Sequence, residues 1–213
     1  MTLRKKNKTD ENPFLCDIIC IGDVVMKSIT YVTGNWTKIA SAKQVLDPLG
    51  IEIDNVNIDT PEIQANDVSD VAMYSAKWAA EELKKPVIKN DTGLFIKGLN
   101  EFPGVYMHYI HDTLGVDGLL KLMEGIENRD AYLKESIAYC EPGGEPIVFE
   151  GITNGKIAFE KSGKYAIGVI DYIFIPDGET KTLGNFPNEK RWSFWSPDAY
   201  TKLAKYLNDY NKE

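Results

Sequence analysis

Ile29-Thr30-Tyr31-Val32-Thr33-Gly34-Asn35-Trp36-Thr37-Lys38 runs from an extended β-branched segment through a glycine into a stretch where Ile39, Ala42, Val45, Leu46 and Leu49 recur at helical spacing. A strand that turns into a helix in this way leaves the first helical N–H groups and the positive end of the helix dipole facing open space, where both attract an anion. Thr33 and Asn35 stand beside that point with short polar side chains, and Lys38 adds a mobile cation one turn further on. The stretch therefore describes an α/β unit opening on a phosphate seat. It describes equally well a plain N-cap, with Asn35 bonded to the backbone and Lys38 solvated.

Outward from this unit, 213 residues with 43% hydrophobic content suffice for one sizeable core, so a single α/β domain is expected. A formal net charge of −8 argues against nucleic acid or an anionic membrane as partner, while leaving room for a small polyanion chelated to a divalent metal. Three cysteines, Cys16, Cys20 and Cys140, make no disulfide framework and fit a reducing compartment. Residues 1–25 carry Arg4, Lys5, Lys6 and Lys8 ahead of a short apolar patch, too short to span a bilayer and without a small-residue cleavage pattern. They read as a leader, dispensable on this reading, before one domain over residues 26–213 in the cytoplasm.

Downstream, Ile51 to Ile58 alternates as a second strand, and Asp59-Thr60-Pro61 breaks it. Glu62 falls in the loop before a helix over Val68 to Leu83, whose stripe of Ala72, Ala76, Ala79 and Leu83 leaves Lys77 on another face. Pro86-Val87-Ile88-Lys89 predicts a short third strand that delivers Asn90-Asp91-Thr92-Gly93 at its carboxyl end, where α/β sheets collect ligand chemistry. Asp91 there suits Mg²⁺ or a proton from water, although Asp-Thr-Gly is also common turn chemistry. One helix is expected over His108 to Glu124, and its two histidines, His108 and His111, do not by themselves close a zinc site. Extended runs at 131–140, 146–152, 156–161 and 169–175, separated by Pro142-Gly143-Gly144 and Asn154-Gly155, suggest antiparallel strands. Ser196-Pro197-Asp198 then starts a final helix.

Taken in order, Thr33-Gly34-Asn35 with Lys38, Pro61-Glu62-Ile63-Gln64, Ala76-Lys77-Trp78, Asp91-Thr92-Gly93-Leu94, Phe102-Pro103-Gly104-Val105-Tyr106, and Asp171 with Ile173-Phe174-Ile175-Pro176 and Lys190 resemble the inosine/xanthosine triphosphate pyrophosphatase family. The resemblance covers about Met26 to Leu207. It implies a long twisted mixed β-sheet flanked by helices, two lobes with a nucleotide cleft between them, and usually a homodimer. It also implies hydrolysis of non-standard purine nucleoside triphosphates to monophosphate and pyrophosphate. Carried over, Thr33, Gly34, Asn35, Lys38, Lys77, Thr92, Gly93, Asp171 and Lys190 bind substrate, Glu62 and Asp91 hold Mg²⁺, and Asp91 and Lys38 act in catalysis.

The departures bear on activity and specificity. The family usually has an acid at the positions of Asn90 and Ser41, so the ligand charge that sets metal affinity is reduced. Ile170 replaces an aromatic before Asp171, and Phe194-Trp195-Ser196 replaces a Ser-His-Arg motif whose cations read the oxo groups of the base. Trp192, Phe194 and Trp195 either stack on a base or plug the floor of the last helix. Two readings follow: a Mg²⁺-dependent pyrophosphatase with altered base preference, or a catalytically weakened relative that binds a nucleotide or partner.

Overall fold

The β-branched opening segment forms β1 (Ser28–Val32), the first strand in a computed structural model that describes residues 28–195 and 197–210. The leader and the capping role expected of Ser196 lie outside these residues. Asn35 starts α1 (Trp36–Leu46), whose end tightens into a 3₁₀ turn before Gly50 at φ 74°. Next come β2 (Glu52–Val56), α2 (Val68–Leu83), β3 (Val87–Ile96) and the two-residue β4 (Pro103–Gly104). The rest is α3 (Met107–Thr113), α4 (Gly115–Leu122), β5 (Asp130–Cys140), β6 (Ile147–Ile157), α5 (Val169–Ile173), β7 (Phe174–Pro176), α6 (Asn188–Phe194) and α7 (Pro197–Tyr210).

The strands make one mixed sheet in the order β2-β1-β3-β5-β6-β7, with β4 pairing to β3. Parallel pairing joins β2, β1 and β3, and the remaining pairs are antiparallel. One face near β1 buries Tyr31, Ile88, Ile137 and Tyr139 under α1 and α7, and the other buries Val87 and Ala138 under the alanine stripe of α2. The far halves of β3 and β5 carry Leu94, Ile96, Ala131 and Leu133 into a second core with α3, α4 and α5. Two lobes therefore share long strands. Because β1 pairs with β3 only at Thr30–Val87 and Tyr31–Ile88, the strands part beyond that point, and the cleft opens in the gap.

Several elements differ from the sequence expectation, each for a tertiary reason. Asn90-Asp91-Thr92-Gly93 lies inside a ten-residue strand, not at a strand tip, because β5 pairs with β3 continuously from Val87–Cys140 to Ile96–Ala131 and satisfies the whole backbone. Asn154-Gly155 makes no turn; Gly155 lies within β6 because the Ile175 carbonyl presses where a side chain would stand. The predicted single helix over His108–Glu124 breaks at Gly115, which takes φ 62°. The last expected run divides into α5 and β7.

Candidate active site in the interlobe cleft

At the mouth of α1, Asn35 Oδ1 accepts from Thr37 N at 2.9 Å and Thr37 Oγ1 at 2.6 Å, while Thr33 Oγ1 accepts from Asn35 N at 3.1 Å. Thr33 and Asn35 thus build the turn as a cap. Gly34 lets it pass Asn57, whose Oδ1 lies 2.8 Å from where a Cβ would be. Lys38 is not merely solvated: it crosses the gap between β1 and β3, and its Nζ donates to the Asn90 carbonyl at 3.3 Å. A cavity of about 530 Å³ lies against it, the size of a small-molecule site. Asn35, Thr37, Lys38, Ser41, Thr92 and Glu135 line it from α1, β3 and β5, and the 167–171 stretch with Arg191, Trp192 and Trp195 lines it from the other lobe.

Alternation along β3 sorts the polar residues onto two faces. Asn90 and Thr92 share the face of Ile88, toward α1 and the cavity, whereas Lys89, Asp91 and Gly93 share the face of Val87, toward α2. Burial pushes the Asp91 carboxyl up; Lys38 and the Thr92 N–H act against that, and the nearby Glu62 charge adds to it. Lys89, held below its usual range by burial and by Lys38, completes the group. Lys38 therefore reaches both faces. Glu62 lies within electrostatic range of Asp91 but does not line the cavity.

On the cavity face, Glu135 of β5 is buried and accepts from Asn90 Nδ2 at 2.7 Å through Oε1. Its Oε2 is buried, and the Tyr200 hydroxyl interacts with the same carboxylate and helps to hold its charge. Burial raises this carboxyl from about 4.5 to about 7, against the Asn90 hydrogen bond and the Lys38 charge. Between those values the folded chain holds a proton that the unfolded chain has released, so this group lowers stability as pH rises through the window. The difference is at most about 3 kcal/mol. Thermal unfolding at pH 5 and pH 8 is expected to show this slope in the wild type and to lose it in Glu135→Gln.

No three His, Cys, Asp or Glu side chains converge as a metal cluster among the described residues. The acidic pair Asp91 and Glu62 nonetheless offers hard oxygen donors, with the buried and unpartnered Ser136 Oγ opposite Asp91 in the β3–β5 register. That set fits Mg²⁺, which takes one or two carboxylates and completes its shell with water and phosphate oxygens.

Across the cleft, Asp171 in the first turn of α5 accepts from Ile167 N at 3.0 Å and pairs with Arg191 at 3.3 Å. Burial raises the Asp171 carboxyl, against the Ile167 N–H and the Arg191 charge. Arg191 is 1% exposed and also donates to Asn188 Oδ1 at 2.8 Å and to the Tyr165 carbonyl. The sequence reading singled out Lys190 and found no arginine for this lobe. Lys190 instead pairs with Glu179 at 3.0 Å, over the Phe186 and Phe194 rings, while α6 turns Arg191 into the cleft. Asn188-x-x-Arg191, with a partner one helical turn back, was the available signal.

The aromatics divide between their two expected roles. Trp192 lines the cavity edge-on to Trp36, ring centres 6.1 Å apart, while Phe194 packs against Phe186 in the second core. Trp195 does both. Exposed His111 pairs with Asp112 at 2.9 Å, and both line the cavity with His108.

Two further expectations are corrected. Lys77 lies outside the cleft, paired with Glu145 at 2.6 Å near the α2-side end where β3 begins, because the alanine stripe fixes the rotation of α2 and turns Lys77 to solvent. Gly93 lies on the α2 face against β4, where a Cβ would stand 2.6 Å from the Gly104 carbonyl, so its small size admits a strand and not a ligand.

A capped helix mouth bearing a lysine, a carboxylate-bearing strand across a gap, and an aromatic wall with a buried arginine define a nucleotide-type cleft between two lobes. The family model described as Ham1 family matches residues 29–203, and the chain belongs to that family. It is 45% identical over 163 residues to a dITP/XTP pyrophosphatase of Methanopyrus kandleri, covering 76% of this chain and 86% of that one. A dITP/XTP pyrophosphatase of Thermococcus kodakarensis is 40% identical, with 76% and 87% covered. Among solved structures, the Ham1 protein of Staphylococcus aureus superposes with a TM-score of 0.72 at 25% identity, covering 86% of this chain and 99% of that chain.

Proposed function

We propose that the protein is a Mg²⁺-dependent nucleoside triphosphate pyrophosphatase, taking a purine nucleoside triphosphate and water to the monophosphate and pyrophosphate. The observation that carries this reading is the Lys38 ammonium at the Asn90 carbonyl, which ties the helix mouth to the strand bearing Asp91. The α1 turn and Lys38 bind and orient the triphosphate, and Lys38 offsets charge as it spreads over the phosphoryl oxygens. Asp91 and Glu62 would hold Mg²⁺, which when bound neutralises phosphate charge and orients the phosphate groups. A carboxylate on β3 or beside it takes the proton of the attacking water.

On the wall facing the α1 mouth, Trp192, with Trp36 against its edge, supplies aromatic surface for a base, and Arg191 anchors that wall through Asp171. The base end is thus built differently from the Ser-His-Arg pattern that the resemblance implies. Lys77 and Lys190 have no part in this account, since each is paired with a glutamate outside the cavity. A homodimer in the cytoplasm belongs to the same reading. No helix among the described residues is long and apolar enough to cross a membrane, and Tyr109 within α3 and Leu114 just after it are exposed.

The test is to incubate the purified protein with Mg²⁺ and a panel of standard, deaminated and modified triphosphates, measuring pyrophosphate and monophosphate. Equimolar release of both, greatest for one purine class, is the expected outcome. Release of inorganic phosphate alone contradicts it, and binding without hydrolysis favours the weakened relative.

A further inference from the structure

Two lysines reach the point where β1 and β3 part. Lys38 arrives from α1 and donates to the Asn90 carbonyl, and Lys89 directly follows Ile88, where the pairing of β3 with β1 stops. Strand alternation puts Lys89 on the α2 face with Asp91, in electrostatic reach of Asp59 and Glu62 in the loop before α2. The half-buried ammonium interacts through space with these three acids and with Lys38, yet makes no hydrogen bond or ion pair among the described residues. Lys77, Lys134 and Lys190, by contrast, each close on a carboxylate, at 2.6, 2.8 and 3.0 Å. A partly desolvated cation beside a second cation is unfavourable unless an anion meets both. With a divalent ion shared by Asp91 and Glu62, the positive charges at this point exceed the negative ones, and the excess suits phosphate oxygens.

On the pyrophosphatase reading above, we propose that Lys89 is a second phosphate-binding residue, holding the β- and γ-phosphoryl groups that leave together as pyrophosphate. The direction follows from placement. Trp192 lines the cavity on one side of the sheet, Lys38 spans the gap, and Lys89 lies beyond it on the α2 face. A nucleotide with its base against Trp192 therefore presents its distal phosphates to Lys89. Lys89 supplies the charge that the resemblance assigned to Lys77, whose ammonium is turned away to Glu145.

Lys89→Met removes the ammonium and keeps most of the apolar stem, and Lys89→Arg keeps a cation. Binding is measured by titration calorimetry in Mg²⁺, with pyrophosphate alone and with the monophosphate of the best-bound nucleotide of the panel. Lys89→Met is expected to weaken pyrophosphate binding at least about tenfold, the usual effect of losing a hydrogen bond from a charged donor, and to change monophosphate binding less than about twofold. Lys89→Arg should stay within about threefold of wild type for both, and KM for the triphosphate should rise at least about tenfold in Lys89→Met. Its melting temperature should hold or rise, because an unpaired, half-buried charge is gone. Equal losses for pyrophosphate and monophosphate overturn the assignment, as does pyrophosphate that fails to bind the wild type. Unchanged pyrophosphate affinity with tighter Mg²⁺ binding also overturns it and makes Lys89 a counter-ion of the acids. A wild type that binds pyrophosphate through Lys89 but hydrolyses no triphosphate overturns the pyrophosphatase reading and leaves this anion contact standing.

Discussion

Asp91→Asn is expected to lower pyrophosphate release by at least about 10²-fold while the protein stays folded. The carboxyl is already pushed up by burial, and Glu62 adds repulsion. Replacing it with a neutral amide of the same shape therefore relieves an unfavourable charge, and the melting temperature should hold or rise. Activity should fall all the same, because Asn lacks the charge needed to share Mg²⁺ with Glu62 beside the Lys38-bound triphosphate. Measuring turnover across Mg²⁺ concentrations together with thermal unfolding separates the two effects. Near-wild-type turnover would exclude Asp91 from the chemistry.

Arg191→Met is expected to give the largest loss of stability of any single substitution in the cleft. The guanidinium and the Asp171 carboxylate are 1% and 6% exposed, so removing the cation leaves a buried carboxylate whose remaining support is the Ile167 and Gly168 N–H groups. Breaking one side of a buried pair typically costs about 3–5 kcal/mol, which for a domain of this size is a fall of roughly 10 °C in melting temperature. The sign of the pH dependence follows from Asp171: without Arg191 its carboxyl rises further, so the deficit grows as pH rises and that charge is forced into the interior. The double variant Arg191→Met with Asp171→Asn should recover a substantial part of the loss. If both variants melt together, the ion pair is not what anchors this wall of the cleft.

Particular residues show where sequence reasoning reached and where it stopped. Ile29 to Lys38 gave β1, the turn and α1 because a period-two run, a glycine and a 3.6-residue period are local signals. The α2 boundaries were readable for the same reason, with Asp67 capping and alanines at one stripe. Asn90-Asp91-Thr92-Gly93 was not readable, since its composition favours a turn and only the distant β5 ladder holds it extended. That one difference moves Asp91 from a strand tip to the α2 face, and the same ladder puts the Glu135 carboxylate of β5, which the sequence reading did not single out, on the cavity side.

Lys190 and Arg191 make the same point at the other lobe. Adjacent cations on a helix lie about 100° apart, so the phase of α6 against the second core decides which enters the cleft. Lys77 was lost to the site because the packing of α2 fixes its rotation.

Alone, the sequence determined the elements whose period is written in neighbouring residues and the family, and it named Lys38, Asp91 and Glu62 as candidates for the proposed phosphate end. The tertiary structure decided which face each of those side chains takes, and that Glu135 and Arg191 stand in the cleft. The physical reason is range: capping and periodicity act over one or two turns, whereas strand register, helix phase and the burial that shifts a carboxyl to about 7 are set by residues 45 or more positions away, as in the Asn90–Glu135 pair.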